Sequence, residues 1–150
     1  MRTYLVIIDE TPEAEIALRF AARRAAKTGG AVEILALIPQ QEFVAWGAVQ
    51  ATIEQEAVEH AEELVRQAAG SLMDELGAYP VIHVKQGEPI AMIRETLAAN
   101  EAIGALVLGA ASSGAPGPLV THFAGDAGAL PCPLMIVPGS LSAEALDRLS

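Results

Sequence analysis

The sequence predicts an α/β fold built around a five-stranded parallel sheet, and three observations carry that prediction. Short apolar runs alternate along the chain with longer segments whose apolar residues recur every three or four positions. Strands joined in this way by helical crossovers lie parallel to one another. The 150 residues suit one domain, and a composition that is 52% hydrophobic but only 4% aromatic favours helices packed closely on a sheet.

The first half of the chain opens with a clear strand–helix–strand unit. Residues 4–8 form an apolar run that stops at an acidic residue, as buried parallel strands do. Thr11 then supplies a helix N-cap and Pro12 a first-turn proline, while the glycine pair 29–30 ends the helix. Residues 31–38 are predicted as the second strand, because Pro39 interrupts the apolar run.

A long amphipathic helix follows an irregular segment. Residues 40–50 carry Phe43 and Trp46 without a clear period, and we interpret them as a flap or a ragged helix start. The two aromatic residues could line a pocket or form a dimer contact, although covering the edge of the sheet is the favoured interpretation. From residue 53 to residue 76 apolar positions recur every three or four residues, and most glutamates fall on the opposite side.

The second half repeats the alternation of strands and helices. A loop rich in Gly, Ser and Pro leads to Pro118, after which Leu119, Phe123 and Ala127 share one face of a predicted helix. The other predicted elements are strands at 81–85, 105–108 and 134–137, a helix that begins at 87–89 and ends near Asn100, and a short terminal helix at 142–149. We therefore expect one domain over residues 1–150, with 141–150 as a short extension.

Charge and cysteine content narrow the classes of function. The formal charge of −10, from 19 acidic and 9 basic side chains, would repel nucleic acid and anionic lipid surfaces. The lone Cys132 cannot form an internal disulfide and is interpreted as a buried small residue. Because no targeting or membrane-spanning segment is visible, a cytoplasmic location is expected.

The candidate binding residues lie where predicted strands end, because ligands of open parallel sheets sit beyond the carboxyl ends of the strands. Glycines in the loop after the fourth strand permit close backbone approach, and the helix start at Pro118 favours an anion. The candidates are Ile8, Asp9, Ile38, Gly109, Ser112, Ser113, Gly114, Gly117, Thr121 and His122. Asp9 could instead cap the following turn, and His122 could be an ordinary surface histidine.

Two long segments resemble the universal stress protein family. The opening YLVIIDETPEAEIALRFAARRAAKTGGAVEILALI is similar to that family's first strand–helix–strand unit, and ALVLGAASSGAPGPLVTHFAGDAGALPCPLMIVP is similar to its last. The resemblance implies an open, doubly wound sheet of strand order 3-2-1-4-5 with helices on both faces, as in adenine nucleotide alpha hydrolase-like proteins. It also implies ATP or AMP as a possible ligand, with Mg²⁺. Asp9 would then lie near adenine or ribose, and Ile38 would border the base.

The sequence departs from the family's ATP-binding motif, which is Gly, two residues, Gly, nine residues, then Gly followed by Ser or Thr. Gly109 matches the first glycine, but Ser112 stands at the second, and Val120 and Thr121 stand at the closing pair after a span shortened by two residues. No Lys or Arg occurs between Arg94 and Arg148. Phosphates would therefore rely on backbone amides, hydroxyls, Mg²⁺ and His122.

Two functions remain open at this stage, together with a prediction of assembly. The chain is either a stress-response module that binds a nucleotide, or a dimeric interaction protein that acts through unidentified protein partners alone. Slow ATP hydrolysis is a third option, although no residue is placed to orient an attacking water. Strand order 3-2-1-4-5 would leave the uncharged Leu134, Met135, Ile136 and Val137 on an edge strand, which predicts a homodimer joined there, as in the family.

Overall fold

The computed structural model describes residues 2–39, 47–77 and 80–150, and it confirms the predicted fold. Five parallel strands form one sheet in the order β3-β2-β1-β4-β5, with helices on both faces. The strands are β1 (Thr3–Ile8), β2 (Ala31–Pro39), β3 (Val81–Gly87), β4 (Ile103–Ala110) and β5 (Leu134–Pro138). The helices are α1 (Pro12–Thr28), α2 (Gly47–Leu76), α3 (Pro89–Ala99), α4 (Pro118–Gly125) and α5 (Ala143–Leu149).

Strand β1 lies at the centre of the sheet, and all six of its residues are buried. It pairs in parallel with β2, Val6 opposite Ile34, and with β4, Val6 opposite Val107. The chain leaves β1 towards one side of the sheet and returns to β4 on the other side, so the strand order reverses between these two neighbours. This reversal is the point at which open α/β sheets characteristically bind ligands.

Alternate residues of β1 face two separate cores. Tyr4, Val6 and Ile8 contribute to the layer that holds α1, α2 and α5, whereas Leu5 and Ile7 contribute to the layer of α3 and α4. The first layer is filled largely by alanines of α1, so that this helix approaches the sheet closely. A strand with both faces covered reads in sequence as a continuous apolar run, as residues 4–8 do.

Local signals explain where helices α1 and α3 begin and end. Gly29 adopts a left-handed φ of 71° after α1, which is the expected glycine stop. At the start of α1, Thr11 has the extended backbone of an N-cap, but its side chain makes no capping hydrogen bond. At α3 the carboxylate of Glu88 accepts hydrogen bonds from the amides of Ile90 and Ala91.

The terminal helix α5 packs against α1. Leu146 is buried in the first core layer, and the Arg23 guanidinium donates to the Ala143 carbonyl at 3.0 Å. Lys27, at the end of α1, donates to the Asp147 carbonyl and to the Ser150 hydroxyl. Residues 141–150 therefore complete the α1 side of the fold.

Helices α2 and α4 differ from the sequence-based expectation. Helix α2 begins at Gly47, within the segment 40–50 that was interpreted as a flap or a ragged helix start and six residues before the apolar repeat that begins at 53. Phe43 and Trp46 lie outside the described residues. Helix α4 ends at Gly125, so the prediction that Ala127 belongs to its apolar face was wrong. Ala127 instead opens the short 3₁₀ helix Ala127–Ala129 and is exposed.

Candidate functional site

Three adjoining cavities meet at Asp9 and Thr11, directly beyond the end of β1. The first, of about 260 Å³, lies between α1 and α2, where Leu18, Leu64 and Ala68 contribute apolar walls. The other two extend to either side of β1 along the carboxyl edge of the sheet. We call these two together the cleft, and its halves the α2 cavity and the α4 cavity.

The turn after β1 places the Asp9 carboxylate. Its Oδ1 atom accepts a hydrogen bond from the Thr11 amide at 2.9 Å and another from the Thr11 hydroxyl. This is the local turn typical of Asp, so the capping interpretation of Asp9 describes one carboxylate oxygen. The same arrangement explains why the Thr11 hydroxyl does not cap α1. Asp9 lines both halves of the cleft.

The α2 cavity, of about 490 Å³, lies beyond the ends of β1 and β2 and beneath α2. Its apolar surface comes from Leu37 and Ile38 at the end of β2 and from Leu64 on α2. At its rim the His60 Nε2 atom lies 3.2 Å from Glu10 Oε1, which joins α2 to the turn after β1. The full lining is Asp9, Glu10, Thr11, Leu37, Ile38, Glu56, Ala57, His60, Ala61 and Leu64.

The α4 cavity, of about 140 Å³, occupies the point of strand reversal between β1 and β4. Gly117 is the N-cap of α4 with φ 112° and ψ 156°, a backbone conformation that is essentially restricted to glycine. The amides of Leu119 and Val120 belong to the first helical turn and have no partner within the helix. The lining is Ile7, Asp9, Thr11, Glu13, Ala14, Leu108, Gly109, Pro116, Gly117, Pro118, Leu119 and Val120.

Gly109 has a packing role that the sequence did not reveal. A Cβ atom at this position would lie 2.1 Å from the Glu13 carbonyl oxygen, because β4 passes directly beside the first turn of α1. Gly139 meets the same region: its amide donates to the Ala110 carbonyl at 2.7 Å, and a Cβ there would lie 3.0 Å from the Glu13 Cβ. Close packing of backbone, and not only ligand approach, therefore accounts for both glycines.

The hydroxyl-bearing part of the predicted site lies outside the cleft. Ser112, Ser113, Gly114 and Thr121 are exposed and do not line any of the three cavities. The loop folds back on itself, since the Ala111 amide donates to the Pro116 carbonyl at 3.1 Å and Gly114 takes a left-handed φ of 72°. The structure thus separates these residues from Asp9.

His122 also lies away from the cleft, on the side of α4 that faces α3. Its Nε2 atom is 3.2 Å from Nη2 of Arg94, and its ring meets Phe123 edge-on at a centroid distance of 5.0 Å. Arg94 also donates to Asp126, and this hydrogen bond with the guanidinium charge lowers the pKa of the Asp126 carboxyl. His122 therefore contributes to the contact between α3 and α4, whereas the prediction assigned it to the binding site.

The structure brings together five of the ten predicted site residues, which are Ile8, Asp9, Ile38, Gly109 and Gly117. It adds residues that sequence analysis did not assign to the site, notably Thr11 and Glu13. The contribution of α2 to the site could have been inferred from the length of this helix, because its 30 residues exceed what one crossing of the sheet requires.

Within residues 2–39, 47–77 and 80–150, no group of three or more His, Cys, Asp or Glu side chains is arranged to hold a metal ion. None of the helices in these ranges combines the length and the apolar character of a membrane span.

Fold and cleft together define an α/β protein with a ligand-sized opening at the reversal point of its sheet. The model of the universal stress protein family matches residues 1–138, and the chain belongs to that family. No match was found among curated proteins.

Solved structures of low sequence identity share the fold. Universal stress protein UspA from Lactobacillus plantarum is 17% identical with a TM-score of 0.76, over 91% of this chain and 97% of that chain. A universal stress protein solved in complex with cAMP is 18% identical, with a TM-score of 0.66 over 93% and 98% of the two chains. The universal stress protein from Archaeoglobus fulgidus in complex with dAMP is 22% identical, with a TM-score of 0.60 over 91% and 97%.

Proposed function

We propose that this protein is a regulatory module that binds an adenine nucleotide, ATP or AMP, in the cleft at the carboxyl edge of its sheet. The observation that carries the proposal is the continuous opening on both sides of Asp9, at the point where the strand order reverses. Two structures of the same fold are described as complexes with cAMP and dAMP. We assign no catalytic step to the cleft.

The α2 cavity suits the base and the ribose. Leu37, Ile38 and Leu64 offer apolar surface to a planar ring, and the volume of about 490 Å³ is in the range of small-molecule sites. The Asp9 carboxylate has four acceptor sites and spends two on Thr11, so it can still accept from a ribose hydroxyl or the adenine amino group. This half of the cleft fits the proposed ligand.

The α4 cavity would receive the phosphate. The first-turn amides of Leu119 and Val120 and the positive end of the helix dipole can attract an anion to this wall. Asp9 and Glu13 line the same cavity, and their carboxylates are oxygen ligands of the kind that Mg²⁺ prefers. We therefore propose that Mg²⁺ accompanies any ligand with several phosphates.

Binding is tested with the protein purified without added nucleotide. Heat denaturation should release material with adenine absorbance, or calorimetric titration of the ligand-free protein with ATP or AMP and Mg²⁺ should show saturable binding. Gly117→Ala should weaken binding, because a side chain at φ 112° strains the backbone by about 1–3 kcal/mol and shifts the start of α4. Gly114→Ala is the matched control, since Gly114 also has a positive φ but does not line the cleft.

We further propose a homodimer joined along β5, through Leu134, Met135, Ile136 and Val137. Ile136 is 42% exposed on this edge strand, and an apolar groove of about 360 Å³ beside it is lined by Phe20, Leu141 and Leu149. Uncovered apolar edges invite pairing with another strand. Ile136→Lys should yield monomers in light scattering. Val81→Lys on the opposite edge, where Val81 is 54% exposed, should leave the dimer intact.

A second candidate function is an interaction protein that holds no nucleotide and acts through protein partners. The closed loop between Ala111 and Pro116 favours it, because Ser112, Ser113 and Gly114 of that loop do not line the cleft. The binding experiment separates the two functions: absence of both released adenine and a calorimetric signal supports the interaction protein, whereas saturable binding that Gly117→Ala weakens supports the nucleotide module.

A further inference from the structure

The walls of the cleft are acidic. Four carboxylate side chains line its two halves, namely those of Asp9, Glu10, Glu13 and Glu56. Among the described residues of the lining, His60 is the one side chain that can carry a positive charge, and it already faces Glu10 at 3.2 Å. A ligand that enters the cleft therefore meets an excess of negative charge.

Five basic side chains of the fold are engaged in contacts outside the cleft. Arg23 and Lys27 bind the terminal helix, and Arg94 binds Asp126 on the α3 side of α4. Arg19 pairs with Glu15 at 3.1 Å in the lining of the first cavity, and Arg66 pairs with Glu63 at 2.7 Å on α2. None of these five residues lines either half of the cleft.

The backbone can offset only a small negative charge. A helix N-terminus is equivalent to about half a positive charge, and Pro118 removes one of the donors at the start of α4. A triphosphate brings about four negative charges into a site that partly excludes water, where repulsion from Asp9 and Glu13 is stronger than in bulk solvent. The balance of charge thus disfavours a triphosphate and tolerates a single phosphodiester.

We infer that the cleft selects adenine ligands of low negative charge, namely the nucleoside, its cyclic phosphodiester and AMP, over ADP and ATP in the absence of divalent cations. This inference rests on the proposed function, because it specifies the charge of the ligand for the same cleft. Affinity then comes mainly from the apolar surface of Leu37, Ile38 and Leu64, and each phosphate group beyond the first reduces it.

Calorimetry of the full chain with adenosine, cyclic AMP, AMP and ATP, in EDTA at low salt, tests the selection. We expect ATP to bind at least about tenfold more weakly than adenosine or cyclic AMP, and AMP to lie between them. Added salt should narrow the difference in affinity between ATP and adenosine, because it screens charges at the mouth of the cleft. Excess Mg²⁺ should narrow it as well.

Variants that replace a single carboxylate by a neutral amide identify which side chains cause the selection against ATP. Glu13→Gln and Glu56→Gln should each raise the affinity for ATP, relative to the affinity for adenosine, about threefold to tenfold. Glu95→Gln is the matched control, because it changes the net charge equally from an exposed position of α3 that does not line the cleft. It should leave the preference unchanged.

The outcomes separate this inference from the function on which it rests. If ATP binds more tightly than adenosine in EDTA, or if Glu95→Gln changes the preference as much as Glu13→Gln does, the charge selection is overturned while nucleotide binding stands. If none of the four compounds binds, both proposals are overturned.

Discussion

Replacement of Gly109 by alanine tests how closely β4 must approach α1. The added Cβ atom would lie 2.1 Å from the Glu13 carbonyl oxygen and 2.5 Å from its carbonyl carbon, where ordinary contacts begin at 3.4 Å. Both neighbours are backbone atoms of a helical turn, so no side-chain rotation can relieve the overlap. The first turn of α1 must therefore move away from the sheet by about an ångström or more.

The expected loss of stability lies at the upper end of the range for overpacked cores. Such insertions typically destabilise by about 1–3 kcal/mol, and a clash with backbone favours the larger value. At about 2–4 °C per kcal/mol for a chain of this length, the melting midpoint should fall by about 6–12 °C. Because Glu13 follows the Asp9–Thr11 turn, any ligand binding in the cleft should weaken as well.

The change is measured by urea and thermal unfolding followed by circular dichroism. Gly70→Ala is the control: a Cβ at Gly70 would meet nothing within 4 Å, and alanine should stabilise α2 by about 0.5–1 kcal/mol. A Gly109→Ala midpoint within about 1 °C of the parent protein would refute the argument, because it would show that the turn can move at no cost.

Two further predictions concern other parts of the fold. Leu146→Ala should destabilise by about 2–4 kcal/mol in urea unfolding, since Leu146 is 1% exposed between α5 and the α1 layer, and a loss below about 1 kcal/mol would contradict that packing. The pKa of Asp126 is lowered by its hydrogen bond to Arg94, so its contribution to stability is present above the unfolded pKa of about 3.9 and is lost as the pH falls through the lower folded value. Asp126→Asn should therefore lower the thermal midpoint at pH 7 and reduce the further loss on acidification below about pH 5; equal acid slopes for both proteins would be the contrary result.

Most of the fold was accessible from sequence because its signals are local. Pro12 and Gly29 mark the ends of α1 through backbone preferences that act whatever the tertiary context, and both predictions are confirmed. The end of α4 was not accessible in this way. Apolar periodicity carried the predicted helix on to Ala127, whereas the chain turns after Gly125 into a short 3₁₀ helix.

The site was only partly predictable, for a physical reason. Strand ends follow from the parallel topology, and for this reason Asp9, Ile38 and Gly117 were correctly expected at one edge of the sheet. The path of the loop before α4 depends on its own hydrogen bond between Ala111 and Pro116. The orientation of His122 depends on Arg94, 28 residues earlier in the chain. Neither contact leaves a pattern in the sequence.

The close packing around Gly109 determines which glycine substitutions near the cleft report on ligand binding and which report on the fold. Because β4 cannot pass the first turn of α1 with a side chain at this position, the fold would need a glycine here even without a ligand. Gly139 meets the same turn, so the same reasoning applies to it. Gly117 is different: a Cβ there would meet nothing within 4 Å, and only its φ of 112°, which sets the start of α4 beside the cleft, calls for glycine. The comparison of Gly117→Ala with Gly114→Ala therefore reports on ligand binding more directly than any substitution of Gly109, which alters the fold first.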